Sequence, residues 1–161
     1  MGVDTEVLVM GGRLDVLVEE WGLVCEGPPS AGVLVMSAQR GGVFRESFAM
    51  AKAYADARKG HGQSQLLDDL VADKPKLDHT RYHSPEELHT ACLAHLRDAI
   101  GTVERKATPS AVDEYRRFVL GVAQRVAEAH REDGVEVSPA EQAALDEITA
   151  AVGNSATAET A

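Results

Sequence analysis

Three Ser/Thr-Pro pairs constrain this chain more than anything else in it. Ser84-Pro85-Glu86-Glu87 offers a hydroxyl for a helix N-cap and a proline for the first helical position, where its missing N–H costs nothing. The glutamate at the third position completes a capping box. Ser138-Pro139-Ala140-Glu141 repeats the design, and Thr108-Pro109-Ser110-Ala111 keeps the cap and the proline without the acid. Each pair marks a place where a separate helix begins, so the chain must fold as rods that turn back on one another.

Apolar spacing agrees. After Ser84, residues Leu88, Cys92, Leu96, Ala99, Ile100 and Val103 recur at intervals of three and four, which predicts a helix to about Lys106. After Thr108 the series Val112, Tyr115, Val119, Val122, Val126 and Ala129 keeps the same rhythm without a fault. With only Ala107 and Thr108 between them, these two helices are expected to pack as an antiparallel hairpin. A third helix from Ser138 presents Ala144, Leu145, Ile148, Ala151 and Val152 and is expected to stop at Gly153, leaving residues 154–161 as a disordered tail.

The N-terminal half is less periodic. Phe44, Phe48, Ala51, Tyr54 and Ala55 predict an amphipathic helix over 43–59 ended by Gly60, and Leu66, Leu67, Leu70 and Val71 a short one after it. Two valine-rich pieces, LDVLVEEWGLVC and AGVLVMSAQ, flank Gly27-Pro28-Pro29. Leu14, Leu17, Val18, Trp21 and Val24 keep helical spacing, so both pieces are read as helices that the prolines separate. Residues 73–83 carry no period and read as an ordered loop or linker, and residues 1–17 as a poorly defined extension.

At 161 residues the chain suits a single domain, here 18–153, with an adequate core. Aromatic residues make up only 4%, so aliphatic and alanine packing must fill that core, which favours helices. The fold class is therefore all-α: a bundle of five to seven helices with a C-terminal three-helix unit. A formal net charge of -10 argues against nucleic acid, whose phosphates demand clustered Lys and Arg. Cys25 and Cys92 form no CxxC pair and no disulfide framework, which fits a reducing cytoplasm. No apolar run is long enough to span a membrane. The start lacks a basic segment, so no secretory signal is expected, and Glu6 stands where a myristoylation site wants Ser or Thr.

Candidate chemistry is sparse. An EF-hand with Gly134 at its sixth position would place Ala129, Arg131 and Ala140 where oxygen ligands are required, and only Asp133 fits. The stretch REDGVEVSPAEQ is better explained as a helix end, an Asp-Gly turn and a capped restart with Val135 and Val137 against the core. Glu132, Asp133, Glu136 and Glu141 nevertheless have the chemistry for a weak divalent site, and His79, His83, His89 and His95 with Cys92 the chemistry for a transition metal. Against the latter, Cys92 belongs to an apolar stripe, where a free thiol packs as a small hydrophobe. The pairs Glu19-Glu20, Asp68-Asp69 and Glu86-Glu87 point in different directions on a helix and suit solvent or caps better than acid/base work. Gly41-Gly42 with Arg40 and Arg45 suits an anion or, more simply, a tight turn. The 109–131 helix suits a coiled-coil partner or a bundle core. No catalytic, cofactor or metal residue is assigned.

The segments VEEWGLVCEGPPSAGVLVMSAQRGGVFRESFAMAKAYADARKG, YRRFVLGVAQRVAEAHRE and VSPAEQAALDEITAAVG together resemble a family of small, all-helical bacterial proteins of unknown function, over residues 18–153. That family's members carry a longer glycine- and phenylalanine-rich turn before the Val-Ser restart, shortened here to Asp133-Gly134. Residues 133–148 are also similar to a helix junction of tellurite-resistance B-type domains, a pattern that capping chemistry alone produces too. The expected function is a non-enzymatic accessory or interaction module of a bacterial cytoplasm, with a protein partner or a second copy of itself and no cofactor. The bias of 11 Arg against 5 Lys suggests a GC-rich genome. The alternative is a metal- or stress-associated protein built on the acidic turn or the histidines.

Overall fold

A computed structural model describes residues 7–9, 15–38, 43–60, 65–72, 83–131 and 139–160. The protein is an all-α helical bundle. Among the described residues it has six helices, α1 (Val18–Ser37), α2 (Val43–Lys59), α3 (Gln65–Val71), α4 (Pro85–Lys106), α5 (Pro109–Arg131) and α6 (Pro139–Thr160), preceded by two short strands, β1 (Val7–Val9) and β2 (Asp15–Leu17). None of these helices is long and apolar enough to cross a membrane.

The caps act as the sequence foretold, with one change of partner. The Ser84 hydroxyl accepts the Glu87 N–H at 3.0 Å, and Thr108 Oγ1 accepts the Ala111 N–H at 3.2 Å. The Glu87 carboxylate reaches one residue past the expected capping box and accepts the N–H of His83 at 3.2 Å. Ser138 and the Asp133-Gly134 turn lie outside the described residues. The apolar faces predicted for α4 and α5 are buried at every position named above.

The N-terminal expectations need correcting. Asp15–Leu17 is a strand, paired antiparallel with β1 in the register Val7↔Leu17, Leu8↔Val16 and Val9↔Asp15. The helical spacing of Leu17 with Val18 and Trp21 is therefore coincidental at Leu17, because valine-rich segments suit a pleated strand equally well; Leu14 lies outside the described residues. The two pieces around Gly27-Pro28-Pro29 are one continuous helix with both prolines inside it. In α2 the buried stripe is Met50, Ala53 and Tyr54, with Ala57 packed at its edge, while Ala51 is exposed. Ala51 stands one residue, or about 100° of helix rotation, away from Met50 and so falls off that stripe. Finally, α6 passes through Gly153 and continues to Thr160. Gly153 does not adopt the left-handed conformation that would terminate the helix.

The core is organised around α1. From Gly27 to Met36 every residue of α1 is buried, as in a helix surrounded on all sides. It packs on α2, α4, α5 and α6, and its packing on α4 and on α5 is more extensive than that of α4 on α5. The C-terminal helices α4, α5 and α6 touch one another in every pairing, and α1 packs into the same core beside them. Their hairpin is joined near its turn, where Arg116 of α5 pairs with Glu104 of α4, and α1 lies between its arms.

Candidate functional site

The most unusual chemistry in the molecule starts from Pro28 and Pro29. Neither has an N–H, so the helical bonds they would donate to the carbonyls of Val24 and Cys25 do not form. An unpaired buried carbonyl would cost about 1–3 kcal/mol. At Val24 the donor comes from elsewhere: the Tyr115 hydroxyl of α5 donates to that carbonyl at 2.7 Å. Gly27 makes the approach possible, since a Cβ there would sit 2.1 Å from Tyr115 Oη and 3.1 Å from the Ala99 methyl.

Beside this bond lie the phenol of Tyr54 and the thiol of Cys25. Tyr54 is 2% exposed, stacks edge-on against Phe118 at 5.1 Å between ring centroids, and its hydroxyl has no hydrogen-bond partner among the described residues. Burial raises the Tyr54 pKa above the ordinary tyrosine value, and the nearby Cys25 adds to the effect. Tyr115 is raised for the same first reason, then by Tyr54 and Cys25. Both phenols stay protonated at neutral pH, so they are hydrogen-bond donors rather than bases.

Polar and charged side chains join helix to helix. His89 of α4 meets Glu147 of α6 at 2.8 Å. His95 of α4 stands 3.6 Å from Glu26 of α1, long for a hydrogen bond, and its buried Nδ1 has none. Arg125 of α5 donates to Asp56 of α2 at 2.6 Å, which lowers the Asp56 pKa. Arg58 of α2 donates to the Val71 carbonyl at 2.6 Å and so caps the end of α3. Arg116, besides pairing with Glu104, donates to the Val152 carbonyl at 2.6 Å and ties α6 to α5.

The candidates named from sequence are dispersed. His83 lies beside Glu87 at the start of α4, 3.4 Å away, while His89 is engaged with α6. Cys92 is buried in the core, as its place in the stripe implied. Glu141 is fully buried at the head of α6. His79, Glu132, Asp133, Glu136, Arg40 and Gly41-Gly42 lie outside the described residues. Among the described residues no three His, Cys, Asp or Glu side chains gather as metal ligands. Sequence reasoning placed Tyr115 and Tyr54 on apolar stripes and Cys25 outside any CxxC pair, but gave none of the three a polar role. The one available signal was Pro28 in an apolar run, because a proline inside a buried helix implies a donor from another element. Compared with family models, with curated proteins and with solved structures, the chain matches none of them.

Proposed function

We propose that this chain is a non-enzymatic helical module of a bacterial cytoplasm that works by binding another protein or a second copy of itself. One observation carries the reading: His83, His89 and His95 each face a different glutamate, two of them across helix joints. Among the described residues, His89 and His95 thus reach across to other helices instead of converging with His83 on one point, as general acid–base catalysis requires. The acidic charge keeps such a surface soluble and selects against nucleic acid.

Two measurements test it. Light scattering over a range of concentrations reads self-association, and crosslinking from exposed positions of α6, such as Ala143 and Ala150, inside a bacterial host reads a partner. The expected result is a concentration-dependent dimer, or one defined crosslinked species that is lost on reversing neighbouring charges such as Asp146. A monomer that crosslinks to nothing, yet is stabilised by one small metabolite and turns it over, would overturn the proposal.

A further inference from the structure

The prolines of α1 coincide with a change in burial. Upstream, Glu20, Trp21, Leu23, Cys25 and Glu26 are half-buried, Gly22 is exposed and Val24 alone is buried; downstream, Gly27–Met36 is buried throughout. Two of the helical bonds that would cross this boundary are absent because Pro28 and Pro29 have no N–H. One of the two carbonyls is served instead by Tyr115, whose position in sequence is 91 residues away. The remaining polar ties of residues 18–26 include ion pairs of Glu20 with Lys106 at 3.6 Å and with Arg105 at 3.9 Å, and a contact of Glu26 with His95 at 3.6 Å. At 3.6–3.9 Å these contacts are long, and partly solvated pairs of this kind hold weakly.

We propose that residues 18–26 form an arm that opens about the Pro28-Pro29 joint without unfolding the core, and that Tyr115 is the latch that holds it shut. The physical basis is that local stability follows burial and hydrogen bonding, and both change at the same residue. Opening breaks the Tyr115–Val24 bond and moves Trp21 and the Cys25 thiol off the core against which they pack. Residues 27–36 open only when the whole bundle unfolds, because every one of them is buried and Gly32 among them lies against Met50 of α2 and Val122 of α5.

The chain carries its own reporter, since its single tryptophan, Trp21, lies in the arm. In urea, Trp21 fluorescence is expected to change at lower denaturant than far-UV circular dichroism, with a shallower slope because less surface is exposed. Amide exchange in 19–26 should be faster than in 30–37. Val122→Ala truncates a side chain packed at Gly32, in the central part of α1, and is expected to speed exchange in 30–37 by roughly tenfold while leaving 19–26 unmoved. Tyr115→Phe should speed both, since both openings break its bond, by about tenfold or more. Pro28→Ala restores a backbone donor for the Val24 carbonyl, so adding it to Tyr115→Phe should slow the arm again. Coincident fluorescence and dichroism curves in the wild type would sink the proposal. So would equal acceleration of both segments by Val122→Ala, or a Pro28→Ala change with no effect on the arm. If Tyr115→Phe fails to fold, the wild-type and Val122→Ala results decide alone.

Discussion

Two glycines in α1 look alike in sequence, yet the side chains they meet differ in stiffness. A methyl at Gly27 would lie 2.1 Å from Tyr115 Oη, and one at Gly32 would lie 2.1 Å from Met50 Cε. The phenol is a rigid ring fixed by its bond to Val24, whereas the methionine end can swing aside. Gly27 also precedes a proline, where a Cβ disfavours the helical conformation. Gly32→Ala is therefore expected to be near neutral, the gain of about 1 kcal/mol in helix propensity offsetting a small repacking cost. Gly27→Ala should lose about 1–3 kcal/mol, as urea unfolding of the two variants will show. The tyrosines divide in the same manner. Tyr54→Phe removes a hydroxyl with no partner among the described residues and is expected to be neutral or stabilising, and Tyr115→Phe orphans a buried carbonyl and is expected to cost about 1–3 kcal/mol. Equal effects from both would contradict the assignment of the latch.

At the level of elements, what could be read from sequence was what local chemistry decides. Ser84 and Thr108 act on N–H groups three residues away, so their roles are visible in a short window. Ser84→Ala is accordingly expected to cost about 1 kcal/mol, seen as a lower urea midpoint at unchanged slope. The stripes of α4 and α5 were equally legible, because one face of each helix is buried and the other is wet. Helix α1 was not. A helix covered on every side has no polar face to give it a period, and its prolines mimic a break. The donor that replaces the missing proline N–H at Val24 is Tyr115, far along the chain, and no local window contains both partners. The passage of α6 through Gly153 belongs to the same class, for glycine permits a left-handed stop without enforcing one. Of the candidate site, the residue types were legible and their grouping was not: His89 and His95 lie on one helix but face α6 and α1 respectively.

Across the whole molecule, a core built around one buried helix places two of the three tyrosines where neither can ionise without disrupting it. Burial raises both pKa values above the ordinary value near 10. Below about pH 10 folded and unfolded chains are both protonated at these groups, and stability does not depend on them. Above it the unfolded chain releases phenolic protons that the folded chain retains, so the unfolded state is favoured. Stability should then fall by about 1.4 kcal/mol per pH unit for each tyrosine until the folded pKa is passed. At the acid end the sign reverses for Asp56, whose lowered pKa gives stability above the usual carboxylate range and loses it as pH falls through the folded value. Because that carboxylate is at the surface, the acid effect should be the smaller and should fade with salt. Urea unfolding between about pH 9 and pH 11.5 checks the alkaline arm. Tyr54→Phe should lower its slope by about 1.4 kcal/mol per pH unit, and a slope unchanged by that substitution would mean that Tyr54 ionises as freely in the folded chain as in the unfolded one, so that the helices around α1 do not close over it.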